Sequence, residues 1–178
     1  MRRAQNPVTP RSSAPDTGMR GAACWHGPRD TLAAMFTPSQ ADVRRFFCAV
    51  YAKSRTGQPL EALETLAGLW IDEHPEYHAD FSDVETALEK MYDVDGGKTN
   101  PFLHLSMHLS ISEQCSIDQP RGIRQAVELL TARRDSLHEA HHATMDCLGK
   151  MVWESQRAGR PPDGAAYIEC VQRHATRD

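Results

Sequence analysis

After Met35 the apolar positions recur at helical spacing, and a capping or breaking residue stands where each run stops. The stretch "TPSQADVRRFFCAVYAKSRTG" lines up Val43, Phe46, Phe47 and Val50 on one stripe, with Thr37 or Ser39 as the cap and Gly57 as the stop. "LEALETLAGLWIDEH" predicts a second helix that runs until Pro75, whose ring clashes with the preceding turn. Ser82 is the expected cap of a shorter helix, "DVETALEKMY", followed by a "DVDGGKT" loop. Asn100 and Pro101 then open "NPFLHLSMHLSISEQ": the asparagine accepts from the first orphan amides, and the proline stands where a missing N–H costs nothing. Beyond "DQPRG" come "IRQAVELLTARRD", a long helix from about Leu137 to Arg157, and "DGAAYIECVQRHA" after Pro161 and Pro162. No stretch alternates with period two over a strand's length, and β-branched residues never cluster. The pattern predicts an all-α fold, a helix bundle of about six to seven helices.

The same pattern divides the chain. Residues 1–34 are rich in Pro, Arg, Ser and Gly and show no apolar periodicity, so they bury too little surface to offset the entropy of ordering. They are expected to be a disordered N-terminal extension, encoded upstream of a start at Met35, with residues 35–178 forming a single helical domain. A net charge of -4 removes the basic footprint that nucleic-acid binding needs. No apolar run approaches the about 18 to 20 residues of a membrane span, and the N-terminus lacks the apolar segment of a signal peptide. The five cysteines, Cys24, Cys48, Cys115, Cys147 and Cys170, are odd in number and scattered, which indicates neither a disulfide framework nor a zinc ribbon. A soluble cytoplasmic protein is expected, without nucleic-acid or membrane partners and with its protein partners undefined.

The histidines change this picture. Eight of the nine follow Met35, and six of them form pairs at i, i+4: His74 with His78, His104 with His108, and His138 with His142. Random placement over the chain would give roughly 0.4 such pairs. The spacing stacks two imidazoles on adjacent turns, close enough to share one ion. His104 and His108 stand on an otherwise apolar helix, where two neutral imidazoles need partners or a metal. In the long helix "HEAHH" also holds Glu139, which with His142 makes the E-x-x-H unit that di-iron bundles use, and Asp146 extends that face. His141 points away from His138 and His142 on the helical wheel and is expected at the surface. Near the first helix pair Cys115 offers a soft donor, whereas Glu113 lies about 180° from His104. Around Pro75, which separates His74 from His78 by a kink or a helix end, Asp72, Glu73 and Glu76 supply oxygen donors. Met107, Met145, Met151, Trp70 and Trp153 are expected in the core.

"EHPEYH", "NPFLHLSMHLSISEQ", "SIDQPRGIR" and "DCLGKMVWESQRAGRPPDGAAYIEC" together resemble the bacterial domain of unknown function 1841 family, over Met35 to about Ala175. The resemblance implies a small soluble bacterial protein that begins near "MFTPS" at Met35, and it implies no activity.

Two functional expectations follow from the residues themselves. In the first, His74, His78, His104, His108, His138, Glu139 and His142 converge on a mono- or dinuclear site for a transition metal, iron, zinc or manganese. Iron would allow oxygen or peroxide chemistry, and zinc hydrolysis with Glu139 as a candidate base. In the second, the protein is a non-enzymatic helical adaptor for protein interactions whose histidines are structural. No phosphate loop, nicotinamide fingerprint or nucleophile motif is present.

Overall fold

The computed structural model describes residues 38–92 and 99–176. The N-terminal extension, Thr37 and most of the "DVDGGKT" loop lie outside them. The first helix, α1 (Gln40–Arg55), starts at Ser39, whose hydroxyl accepts from the Asp42 amide while the Asp42 carboxylate takes the Ser39 amide. It stops at Thr56 because Gly57, at φ +67°, turns the chain into the left-handed region. Next, α2 (Ala62–Asp72) ends before Pro75 as expected.

Pro75 does more than stop α2. It starts a 3-10 turn (Pro75–Tyr77) that leads directly into a one-turn helix, α3 (His78–Phe81). This is one helix more than the periodicity predicts, because a four-residue segment is too short to show a repeat. Asp83, not Ser82, caps α4 (Val84–Glu89): its carboxylate accepts from the amides of Glu85 and Thr86, whereas the Ser82 hydroxyl donates back to the Ala79 carbonyl.

Asn100 and Pro101 open α5 (Pro101–Ile117) in the predicted way, with the asparagine oxygen 3.0 Å from the Phe102 amide. A tight corner joins it to α6 (Ile123–Arg134). There the Asp118 carboxylate accepts from the Gly122 and Arg124 amides, and the Arg124 guanidinium donates to the Cys115 and Ser116 carbonyls left open at the end of α5. Ser136 caps the long α7 (Leu137–Ala158), and α8 (Gly164–Thr176) completes the order. All described elements are helical, eight α-helices and the one 3-10 turn. No helix among the described residues is long and apolar enough to cross a membrane.

Two buried clusters hold these helices. Phe47, Val50, Trp70, Ile71 and Phe81 from α1 to α3 pack with Phe102 and Leu105 at the start of α5. Ile111, further along α5, packs instead with Ile123, Leu130, Ala140, Tyr167 and Val171 of α6 to α8. Helix α5 is therefore buried from two sides, which explains why it carries so few charges. Each fully buried Leu, Ile or Phe contributes about 1.5–3 kcal/mol. Leu105→Ala is expected to cost about 2–5 kcal/mol in chemical denaturation, since the residue is wholly enclosed.

Three sequence expectations are corrected by the packing. Cys147 on α7 and Cys170 on α8 form a disulfide with their Cα atoms 5.8 Å apart, where the scattered spacing indicated none. Adjacency of two antiparallel helices is invisible in sequence separation, and the bond removes the cysteine argument for a reducing compartment. Trp153 lies 56% exposed rather than in the core, its ring covered on one face by the Arg157 guanidinium. His141 is 2% exposed rather than at the surface. Helix α7 is packed on two sides, so a wheel position 60° from His138 still faces protein. Trp70 and Met145 are buried as expected, and Met107 and Met151 are partly buried against the second cluster.

Candidate metal centre

Six histidines meet where α2, α5 and α7 approach. His74 arrives from the bend that Pro75 creates, His104 and His108 from successive turns of α5, and His138, His141 and His142 from the first two turns of α7. His74, His108 and His141 are almost fully buried. Trp70 forms the wall: its indole stacks on His108 at 4.1 Å and lies 4.4 Å from His141, centroid to centroid. The indole N–H donates to Ser112, which in turn donates to the His108 carbonyl, so α2 and α5 are fixed to each other beside the site.

The ring nitrogens face inward. His74 Nε2 lies 3.0 Å from His108 Nε2 and 3.2 Å from His138 Nε2, and His142 Nε2 lies 3.2 Å from His104 Nε2. One ligand atom from each of His74, His108, His138 and His142 falls within a mutual 4.8 Å. A tetrahedral ion with metal–nitrogen bonds of 2.0–2.1 Å would separate its donors by about 3.3 Å, close to these contacts.

Tautomers sharpen the geometry. His74 Nδ1 lies 2.8 Å from the Glu76 carboxylate, which only accepts, so Nδ1 carries a proton, and in the neutral ring, the form that ligates metal, the Nε2 lone pair faces His108 and His138. One lone pair cannot serve two good donors. On the far side, His108 Nδ1 is 3.4 Å from His141 Nδ1. A proton on His108 Nδ1 shared with His141 leaves His108 Nε2 as a second lone pair aimed at the same point.

Burial favours the neutral form of four of the rings. It pushes His108 far below the usual value, with His141, His104, His74 and His142 adding repulsion. It holds His141 down at about 4, helped by His142 and His138. His104 is likewise lowered to about 4, by burial and then by His74, His142 and His138. His142 is lowered by burial and by His138 and His74, against the pull of Glu139 and Asp146. Neutral imidazole is the ligand form.

The remaining expected site residues fall outside this centre. His78 turns away: its Nε2 donates to the Ile71 carbonyl at 3.0 Å, and its Nδ1 accepts from Arg55 at 3.2 Å, so both ring nitrogens are engaged. Glu139 is exposed, its carboxylate 3.9 Å from His138 Nδ1, behind the ring rather than at the inner nitrogen. Glu76 also lies behind its ring but bonds it, at 2.8 Å from His74 Nδ1, and of the three oxygen donors around Pro75 it alone bonds a cluster ring; Asp72 and Glu73 are exposed. Burial raises the Glu76 carboxyl, but the hydrogen bonds from His74 and from its own backbone outweigh it and hold the group below its usual value. Cys115 is packed against the second core cluster, and Glu113 is exposed. Asp146, Glu139 and Arg134 line an open groove of about 530 Å³ beside His104 and His142, the side on which solvent reaches the cluster. Sequence reasoning missed His141. The three-residue step His138 to His141 also joins adjacent turns, and it was the signal that could have found it.

No curated protein and no solved structure matches the chain. A family model matches residues 39–173, the stretch that holds all six clustered histidines, the Asp118 corner and both bonded cysteines. The chain thus belongs to the family described as Domain of unknown function (DUF1841).

Proposed function

We propose that the protein binds a first-row transition-metal ion through His74 Nε2, His108 Nε2, His138 Nε2 and a ring nitrogen of His142, with His104 beside them. The observation that carries this reading is the convergence of His108 and His138 on the inner nitrogen of His74, whose outer nitrogen bonds Glu76. Hydrogen bonding alone does not satisfy that arrangement, whereas one ion does. The donor set is nitrogen-rich, which suits zinc or iron and not manganese, a metal that prefers oxygen. Glu76 acts from behind, orienting His74 through Nδ1 as outer carboxylates commonly do. The groove at His104 and His142 supplies the ion's solvent-facing side.

Elemental analysis of tag-free protein tests this directly. About one ion per chain is expected, and less than about 0.2 after gentle purification contradicts the reading, because multi-histidine sites hold such ions tightly. Glu76→Gln is expected to lower metal affinity about 10–100-fold in competition with a chromophoric chelator, since it keeps the shape and removes the charge behind His74. His141→Ala should weaken the metal by a similar factor through His108 Nδ1. His78→Ala should leave the affinity unchanged. An adaptor with purely structural histidines predicts no bound metal and melting indifferent to chelator.

A further inference from the structure

A second set of donors lies on the other side of α7. Cys147 and Cys170 join α7 to α8, and His174 follows Cys170 by one turn of α8. One ring nitrogen of His174 and the two sulfurs lie within a mutual 4.8 Å. Both cysteines line a cavity of about 520 Å³, together with Tyr167, Lys150 and Arg173. Tyr167 is 1% exposed, and its buried hydroxyl finds no hydrogen-bond partner among the described residues. A disulfide sulfur is a poor acceptor and a poor ligand. A pair of thiolates would be a good ligand set.

We propose that Cys147, Cys170 and His174 form a second metal site, which takes up zinc when the disulfide is reduced and loses it on oxidation. In one direction a dithiol gives two electrons and two protons to the disulfide; the S–S bond breaks, two thiols form, and the dithiol closes into its own disulfide. Zinc then displaces both thiol protons to solvent and binds the two sulfurs and the His174 lone pair, with water as the fourth ligand. In the other direction hydrogen peroxide takes two electrons from the thiolates. The S–S bond forms, the O–O bond breaks, two protons from solvent complete two water molecules, and zinc departs. Zinc–sulfur bonds of about 2.3 Å and zinc–nitrogen bonds of 2.0–2.1 Å put the donors about 3.5–3.8 Å apart, so the two sulfurs move apart once their bond breaks, while the His174 nitrogen already lies within 4.8 Å of both. The bond between α7 and α8 is thereby exchanged for a metal bridge without releasing either helix.

Cobalt(II) is the probe, because only thiolate ligation gives its near-ultraviolet charge-transfer band, and the histidine cluster cannot mimic it. The full chain, reduced and freed of reductant without air, should develop the band as it binds one equivalent of cobalt more than the oxidised protein does. Oxidised protein should not develop it. Cys170→Ser should abolish it, and His174→Gln should weaken cobalt binding at least tenfold while leaving both thiols in place. Zinc-loaded reduced protein should release one equivalent to a chromophoric chelator on addition of one equivalent of peroxide. No band in reduced wild type overturns the proposal, as does a band that survives Cys170→Ser. Should that variant not fold, His174→Gln decides: unchanged cobalt affinity, read from the charge-transfer band, overturns the site.

Discussion

His108→Ala is expected to strip the protein of its ion and to cost it more stability than any other single change in the cluster. The ring is wholly buried, stacks on Trp70 at 4.1 Å and places Nε2 3.0 Å from His74 Nε2. Two losses therefore add. Truncating a buried side chain of this size leaves a cavity, at about 2–5 kcal/mol. Losing an ion present at 100 times its dissociation constant removes about 2.7 kcal/mol more. Chelator separates the two. Wild type should melt lower once its metal is removed, whereas His108→Ala and the milder His108→Gln should melt identically with and without chelator. A wild-type melting curve that does not move despite confirmed metal removal would sink the metal reading, because a site drawn from three elements must stabilise them when filled.

Acidification is expected to destabilise the metal-free fold from about pH 6.5 downward. His104 and His141 are lowered from 6.5 to about 4, and His108 and His142 are lowered as well. The fold thus prefers the neutral rings. Below pH 6.5 the unfolded chain binds protons that the folded chain refuses, so the stability these groups contribute is complete above that value and drains away as pH falls. For His141, the loss is about 1.4 kcal/mol per pH unit until about pH 4, where the folded ring also charges. Two or three such groups acting together make the drop several kcal/mol between neutrality and pH 5. Metal steepens the profile, because protons compete for its ligands. Melts with and without chelator should differ at pH 7.5 and converge as pH falls through about 6 to 5. Equal unfolding free energies at pH 7 and pH 5 in metal-free protein would contradict the neutral, buried cluster.

The chain's local chemistry determined its helices and most of the site's membership. Asn100 with Pro101 and Ser39 with Asp42 are caps that need only neighbouring residues; the first sits where the pattern predicts, and Ser39 is one of the two caps, with Thr37, that the pattern allows. The i, i+4 pairs on α5 and α7 are likewise a consequence of helix pitch, so His104, His108, His138 and His142 could be named before any packing was known. Tertiary structure decided the rest, because rotation of a helix about its own axis is set by what it packs against. Pro75 split its pair: His74 went inward to three imidazoles, while His78 went back to the Ile71 carbonyl. Burial of α7 on two sides brought His141 under Trp70, although the wheel placed it away from its neighbours. Glu76 and Glu139 ended on the outer, Nδ1 side of His74 and His138, at 2.8 Å and 3.9 Å. Cys147 and Cys170, 23 residues apart, met only because α8 folds back along α7. A helical repeat reports which side chains share a face; which faces meet depends on the summed burial of all the helices, and no local stretch of sequence carries that sum.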